Sequence, residues 1–222
     1  MKKLIIVTLV VLSVAAVAFG QQVLSRNAVG YQQVTLPKGQ LSLVRHDFEE
    51  LDTPLTVSNV FASLPQNSKV YLWKADQSGY QTYTKAFGVG WTGATNELER
   101  GRAFWVQIPA TAASNNYQAF LMGEVPDRFT ATNTTIPVAA GFTLSGYSYP
   151  VDQYWTNMSI AKMAPNNSKI HVWNGSGYVT YTKAFGVGWS AATNLVITPG
   201  MGFWLQWAAA TNWNEVKPYT WP

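Results

Sequence analysis

Four acids stand together in one short stretch, Asp47, Glu49, Glu50 and Asp52, directly after His46. Carboxylates at this spacing are hard oxygen ligands, and a loop that turns them inward can hold calcium. The competing expectation is a solvated polar loop. A later stretch, Ser148-Tyr-Pro-Val-Asp152, matches it in place and keeps a single acid. Paired carboxylates facing across a cleft could also cleave a glycosidic bond. The candidates are Glu97, Glu99 and Glu124, but Leu195 and Ile197 stand where the first two would recur. The chain has two histidines, His46 and His171, and no cysteine. The histidines lack metal-ligand spacing, and neither neighbours a serine or cysteine elbow. No nucleophile, base or metal constellation emerges, so the expectation is a protein without catalysis and without a cofactor.

A second feature could carry binding. Ten residues occur twice unchanged, Thr82 to Trp91 and Thr180 to Trp189, 98 positions apart. In a binding reading, Trp91 and Trp189 stack on sugar rings beside Lys85 and Lys183. Asn96 and Asn194, with Thr95 and Thr193, then bond hydroxyls. In a structural reading, Tyr83, Phe87 and Trp91 are core aromatics, and Gly88 and Gly90 make a corner between them. The spacing of four between these rings does not indicate a helix, because glycines and β-branched residues interrupt it. Gly88-Val-Gly-Trp-Thr-Gly93 spells the dinucleotide fingerprint, yet no helix of useful length follows, so a nucleotide is not expected.

The decapeptide is part of a longer correspondence. Pro65 to Val70 answers Pro165 to Ile170, Trp73 answers Trp173, and Gly101 to Trp105 answers Gly200 to Trp204. Gly39 to Leu43 is matched with Gly141 to Ser145, so the offset drifts between 98 and 102. A period near 100 residues is the size of a domain. Val70–Trp73, Tyr80–Lys85 and Ala103–Ile108 read as strands, and so do residues 170–173, 178–183 and 203–207. Asp76 to Gly79 and Asn174 to Gly177 supply hairpin turns. Val57, Val60, Phe61 and Leu64 fall on one helical face that Pro65 ends, and Ile160 and Met163 hold similar places before Pro165. The expected fold is all-β: two tandem antiparallel β-sandwich or barrel-like domains, residues 21–124 and 125–222, each with one short helical turn.

Residues 1–20 read as an export signal. Lys2 and Lys3 precede an apolar run from Leu4 to Phe19, and Ala18-Phe19-Gly20 suits cleavage before Gln21. The run is short for a membrane span. Removing it lowers the formal charge from +4 to +2. So small a charge does not steer a protein to nucleic acid or anionic lipid. Charged residues are 12% of the chain and aromatics 14%, which leaves a low-charge surface with little self-repulsion.

Asn27-Ala-Val-Gly-Tyr31, the Leu-Pro-x-Gly turn at Leu36 to Gly39 and the Gly-x-x-Phe-Trp openings at Gly101 and Gly200 resemble a group of uncharacterised secreted bacterial proteins built of two tandem β repeats. That resemblance implies a tandem β fold and export, and it transfers no site residue. The expected function is a secreted, non-catalytic structural or adhesion protein of the cell surface or extracellular matrix, with the periplasm as the other compartment. It would associate with itself or with a cell-surface partner. The alternative is a carbohydrate-binding protein with one glycan site per repeat.

Overall fold

The computed structural model describes residues 28–51, 54–94, 98–126 and 133–220. The expected export signal, Asp52, Asn96 and Glu97 lie outside them. The fold is all-β, and its sheets are antiparallel.

The first half opens with β1 (Val29–Pro37) and β2 (Leu41–Arg45), followed by the helical turn α1 (Val57–Val60). Then come β3 (Lys69–Trp73), β4 (Tyr80–Ala86), β5 (Gly90–Trp91), β6 (Ala103–Gln107) and β7 (Asn116–Glu124). β1 pairs with β7 as a long ribbon, and the others form one sheet in the order β2-β6-β3-β4-β5. The second half runs β8 (Asn133–Val138), β9 (Gly141–Gly146), β10 (Gln153–Tyr154), α2 (Ser159–Met163), β11 (Lys169–Trp173), β12 (Tyr178–Thr182), β13 (Val196–Ile197), β14 (Gly202–Trp207) and β15 (Thr211–Val216). Its ribbon is β8 with β15, and its sheet is ordered β9-β14-β11-β12. The strand order of the first sheet therefore recurs in the second.

Each half buries its ribbon against its own sheet. Leu36, Ala119 and Leu121 of the first ribbon meet Val44, Val70, Phe104 and Val106 of the sheet, and Val57, Phe61 and Leu64 close one end. In the second half Ile136, Val138 and Trp213 meet Ile170, Phe203, Leu205 and Trp207, closed by Met158, Ile160 and Ala161. Thr56 caps α1 by accepting from the Asn59 N–H at 3.3 Å.

The opposite faces of the two sheets are not left to water. Leu43, Tyr71, Trp73, Ala103 and Trp105 pack against Leu144, Trp173 and Trp204. This second burial explains why Val70-Tyr-Leu-Trp73 and Phe203-Trp-Leu205 show no polar alternation: both faces of the strand are covered. Strand register also corrects the match drawn from sequence around β2. Leu43 lies opposite Trp105 and Leu144 lies opposite Trp204, so the offset there is 101 and Arg45 answers Gly146. The Gly39 to Leu43 match had placed it at 102, because the turns before these strands differ in length.

That difference matters at the seam. Arg45 is fully buried and lies where a side chain on Gly146 would be. It pairs with Asp47, whose Oδ2 accepts from the Gly200 N–H at 2.8 Å. Two backbone bonds cross reciprocally: Arg45 N–H donates to Gly200 O at 3.0 Å, and Gly146 N–H donates to Gly101 O at 2.9 Å. The start of the expected solvated loop, His46 and Asp47, is thus a buried junction, while Glu50 is exposed. His46 is also fully buried, accepting from the Phe48 N–H at 3.3 Å. Burial, with Arg45 and Arg100 nearby, pushes its pKa from 6.5 down to about 4.

The unfolded chain accepts a proton on His46 near pH 6.5 that the folded chain refuses until about pH 4. Its contribution to stability is present above the first value and falls as pH drops through the window, by about 3 kcal/mol in all. Urea midpoints measured across pH 4–7 should show this slope in the native chain and lose it in His46→Gln. An equal slope in both chains would contradict the burial of a neutral imidazole.

Candidate functional site

The repeated decapeptide forms the returning strand of each sheet, a three-residue loop and a tryptophan. Its inward-pointing groups are occupied. Lys85 Nζ donates to Ala62 O and Leu64 O, both at 2.6 Å, at the C-terminal end of the α1 turn. Lys183 Nζ donates to Ala161 O, Lys162 O and Ala164 O at 3.3, 3.1 and 2.6 Å, at the same place on α2. Trp91 Nε1 donates to Phe61 O at 2.9 Å, and Trp189 Nε1 to Ala161 O at 2.8 Å. An ammonium on helix-terminal carbonyls satisfies acceptors that the helix leaves unpaired and offsets its dipole. Trp189 is 7% exposed and Trp91 half-buried against the first core. Lys85, Lys183, Trp91 and Trp189 therefore serve the fold, and the geometry offers no sugar-stacking face on Trp189. Asn194 is exposed on the turn after the 3-10 turn at Ser190–Ala192.

The outward part of the decapeptide differs from the core reading of its aromatics. Tyr83 is buried, but Phe87 and Phe185 are each 86% exposed, with Val89 and Val187 beside them. They sit on the loops closed by Ala86 with Gly90 and by Ala184 with Gly188. Gly88 and Gly186 both take φ +71, and a β-carbon on either would meet nothing within 4 Å. The glycines turn the chain tightly and hold the phenylalanine and valine out in open space.

The three described acids of the set after His46 each have another partner. Asp47 pairs with Arg45, Glu49 Oε1 meets Arg100 Nε at 2.7 Å, and Glu50 Oε1 accepts from the Leu55 N–H at 3.0 Å. No three acid or histidine side chains come together to hold a metal ion among the described residues. Of the described hydrolase candidates, Glu99 is paired with Arg102 at 2.6 Å, and Glu124 ends β7, bridged through its backbone to Glu49. No described helix is long and apolar enough to cross a membrane.

A concave site is found instead where the two sheets meet. Trp73 and Trp204 pack edge to face at 4.9 Å, and their counterparts Trp173 and Trp105 do so at 5.2 Å. Tyr80 lies 5.0 Å from Trp73 and Tyr178 lies 5.2 Å from Trp173, so the cluster is built twice in reciprocal order. Trp204 Nε1 donates to Tyr178 Oη at 2.9 Å. Trp73, Tyr80, Phe142, His171, Tyr178 and Trp204 line a pocket of about 340 Å³. Trp73 and Phe142 also line a cleft of about 880 Å³ between the halves, walled by Gln77, Gln81, Thr143, Thr211 and Asn212 among others. Gln77 clasps the cleft's rim: its Nε2 donates to Ala140 O at 2.7 Å, and its Oε1 accepts from the Phe142 N–H at 3.2 Å.

His171 takes the place of Tyr71, as the sequence match implies, and keeps its bond. Tyr71 Oη donates to Gln107 Oε1 at 2.7 Å, and His171 Nε2 sits 3.3 Å from Gln206 Oε1. Burial lowers the His171 pKa and raises those of Tyr80 and Tyr178, so imidazole and phenols are neutral at pH 7. This pocket escapes the sequence reading because its rings come from both halves. The available signal was Tyr71-Leu-Trp73, which is apolar on both strand faces.

Trp189→Phe removes the hydrogen bond to Ala161 and part of a buried ring that packs on Trp155. It should cost about 1 kcal/mol or more in chemical denaturation. Lys183→Met should cost a similar amount, because it leaves the carbonyls of α2 without their ammonium. Neither substitution is expected to change the exposed loop at Phe185. Unaltered stability in both would contradict the capping role.

No family model, curated protein or solved structure matches the chain.

Proposed function

We propose that the chain is a non-catalytic structural or adhesion protein of the cell surface or extracellular matrix, built of two homologous β domains, and that it associates with itself through apolar, uncharged contact points. The observation that carries this reading is the pair of identical exposed loops, Phe87-Gly-Val89 and Phe185-Gly-Val187. A phenylalanine 86% exposed contributes little to its own fold and costs solubility. Its presence twice, on loops held open by glycine, supports a role outside the chain. The outer face of the first ribbon adds a further apolar area, where Tyr31, Phe120 and Met122 are exposed.

Two equal contact points on one molecule have a physical consequence. Each contact is weak alone, but once one is made the second becomes intramolecular, and the avidity exceeds either affinity by orders of magnitude. Contacts that do not close on themselves extend into chains of molecules, which suits a structural component of a surface layer. The low formal charge, +2 after the expected export signal is removed, adds little repulsion to oppose assembly.

Light scattering on the native chain should show mass rising with concentration. Phe87→Ser with Phe185→Ser should remain a monomer over the same range with an unchanged unfolding midpoint, and either single substitution should fall between. A native chain that stays strictly monomeric and binds no cell surface would overturn the reading.

A further inference from the structure

The pocket and cleft between the halves have no role in the association just described. Three of the pocket's rings, Tyr80, Phe142 and Tyr178, are 38%, 43% and 45% exposed. Tyr80 and Phe142 are held by packing on Trp73 and Trp204, and Tyr178 by packing on Trp173 and its bond from Trp204, so their faces are fixed before any ligand arrives. A preformed aromatic floor lowers the entropy cost of binding. The 340 and 880 Å³ volumes fall in the range of small-molecule sites and share Trp73 and Phe142, so one elongated ligand could occupy both.

The chemistry of the two parts differs in a way that selects the ligand. The pocket is walled by rings, and its titratable members are neutral at pH 7. The cleft adds side-chain amides and hydroxyls. Its charged groups are two of each sign, Lys74 and Arg102 against Asp76 and Glu99, so the cleft carries no net charge. A purely apolar guest would strand the polar wall, and a charged one would find no excess of opposite charge there. A pyranose has one face of C–H groups suited to an aromatic ring and a rim of hydroxyls suited to amides.

We propose that this seam is a single binding site for a neutral oligosaccharide, with one sugar ring against Tyr80, Phe142 and Tyr178 and the chain continuing into the cleft beside Gln77 and Gln81. The site differs from the sequence expectation of one glycan site per repeat at Trp91 and Trp189. It is also independent of the exposed phenylalanine loops.

The test titrates the full chain with neutral hexasaccharides of the gluco, manno, xylo and N-acetylglucosamine series, and with an acidic uronate hexasaccharide, following tryptophan fluorescence. At least one neutral member should saturate with a Kd between about 10 µM and 1 mM. Phe142→Ala and Tyr178→Ala should each weaken it by about tenfold or more, while Trp91→Phe leaves it unchanged. Saturation-transfer NMR on the native chain, which needs no variant, should mark the C–H protons of one sugar ring most strongly. Absence of neutral binding up to about 10 mM overturns the proposal. So does binding that survives both alanine variants, or tighter binding of the uronate than of every neutral sugar. Light scattering separates the two readings: Phe142→Ala should leave self-association intact, and Phe87→Ser with Phe185→Ser should leave sugar affinity intact.

Discussion

The structure depends on each central sheet being apolar on both faces. One face of β6 and β14 packs on its own ribbon, and the other carries Trp105 or Trp204. Neither half can leave that second face in water without exposing large aromatic area. Docking the halves face to face resolves this, and the reciprocal pairs Trp73–Trp204 and Trp105–Trp173 are the result. Differences between the halves are accommodated where they keep this contact. Arg45 lies over Gly146, His171 keeps the bond that Tyr71 makes, and the first half's longer hairpin turn uses Gln77 to hold Phe142 in place.

The decapeptide divides its residues between two tasks. Lysine and tryptophan point in and satisfy carbonyls at the end of a helix too short to be stable alone. Phenylalanine and valine point out from a glycine-held loop. The inward task fixes the strand, the lysine and the tryptophan. It does not require a phenylalanine in solvent, which is why the identity of the outward residues supports a contact beyond the chain.

Much of the fold was legible from local patterns. The strands around Trp73, Trp173, Phe104 and Phe203 were marked by β-branched and aromatic runs, and the helical turn by Val57, Phe61 and Leu64 ahead of Pro65. Two readings failed for long-range reasons. Polar residues in a loop imply solvent, yet His46 and Asp47 are buried, and the backbone of Gly200 comes from the other half to meet Asp47 beside its neighbour Arg45. An aromatic in a strand implies core, yet Phe87 lies one step past the strand end, where the glycines turn it away. The pocket at the seam was not legible, because composition does not say which faces of two halves will meet.

The central claim is that Phe87 and Phe185 are contact residues. Fluorine NMR on chain carrying 4-fluorophenylalanine reads their surroundings directly, with the two loop resonances assigned by substitution. In dilute solution both should show the solvent isotope shift of an exposed ring, and both should lose it together as concentration rises. Resonances that stay fully solvated while the chain associates would contradict the account.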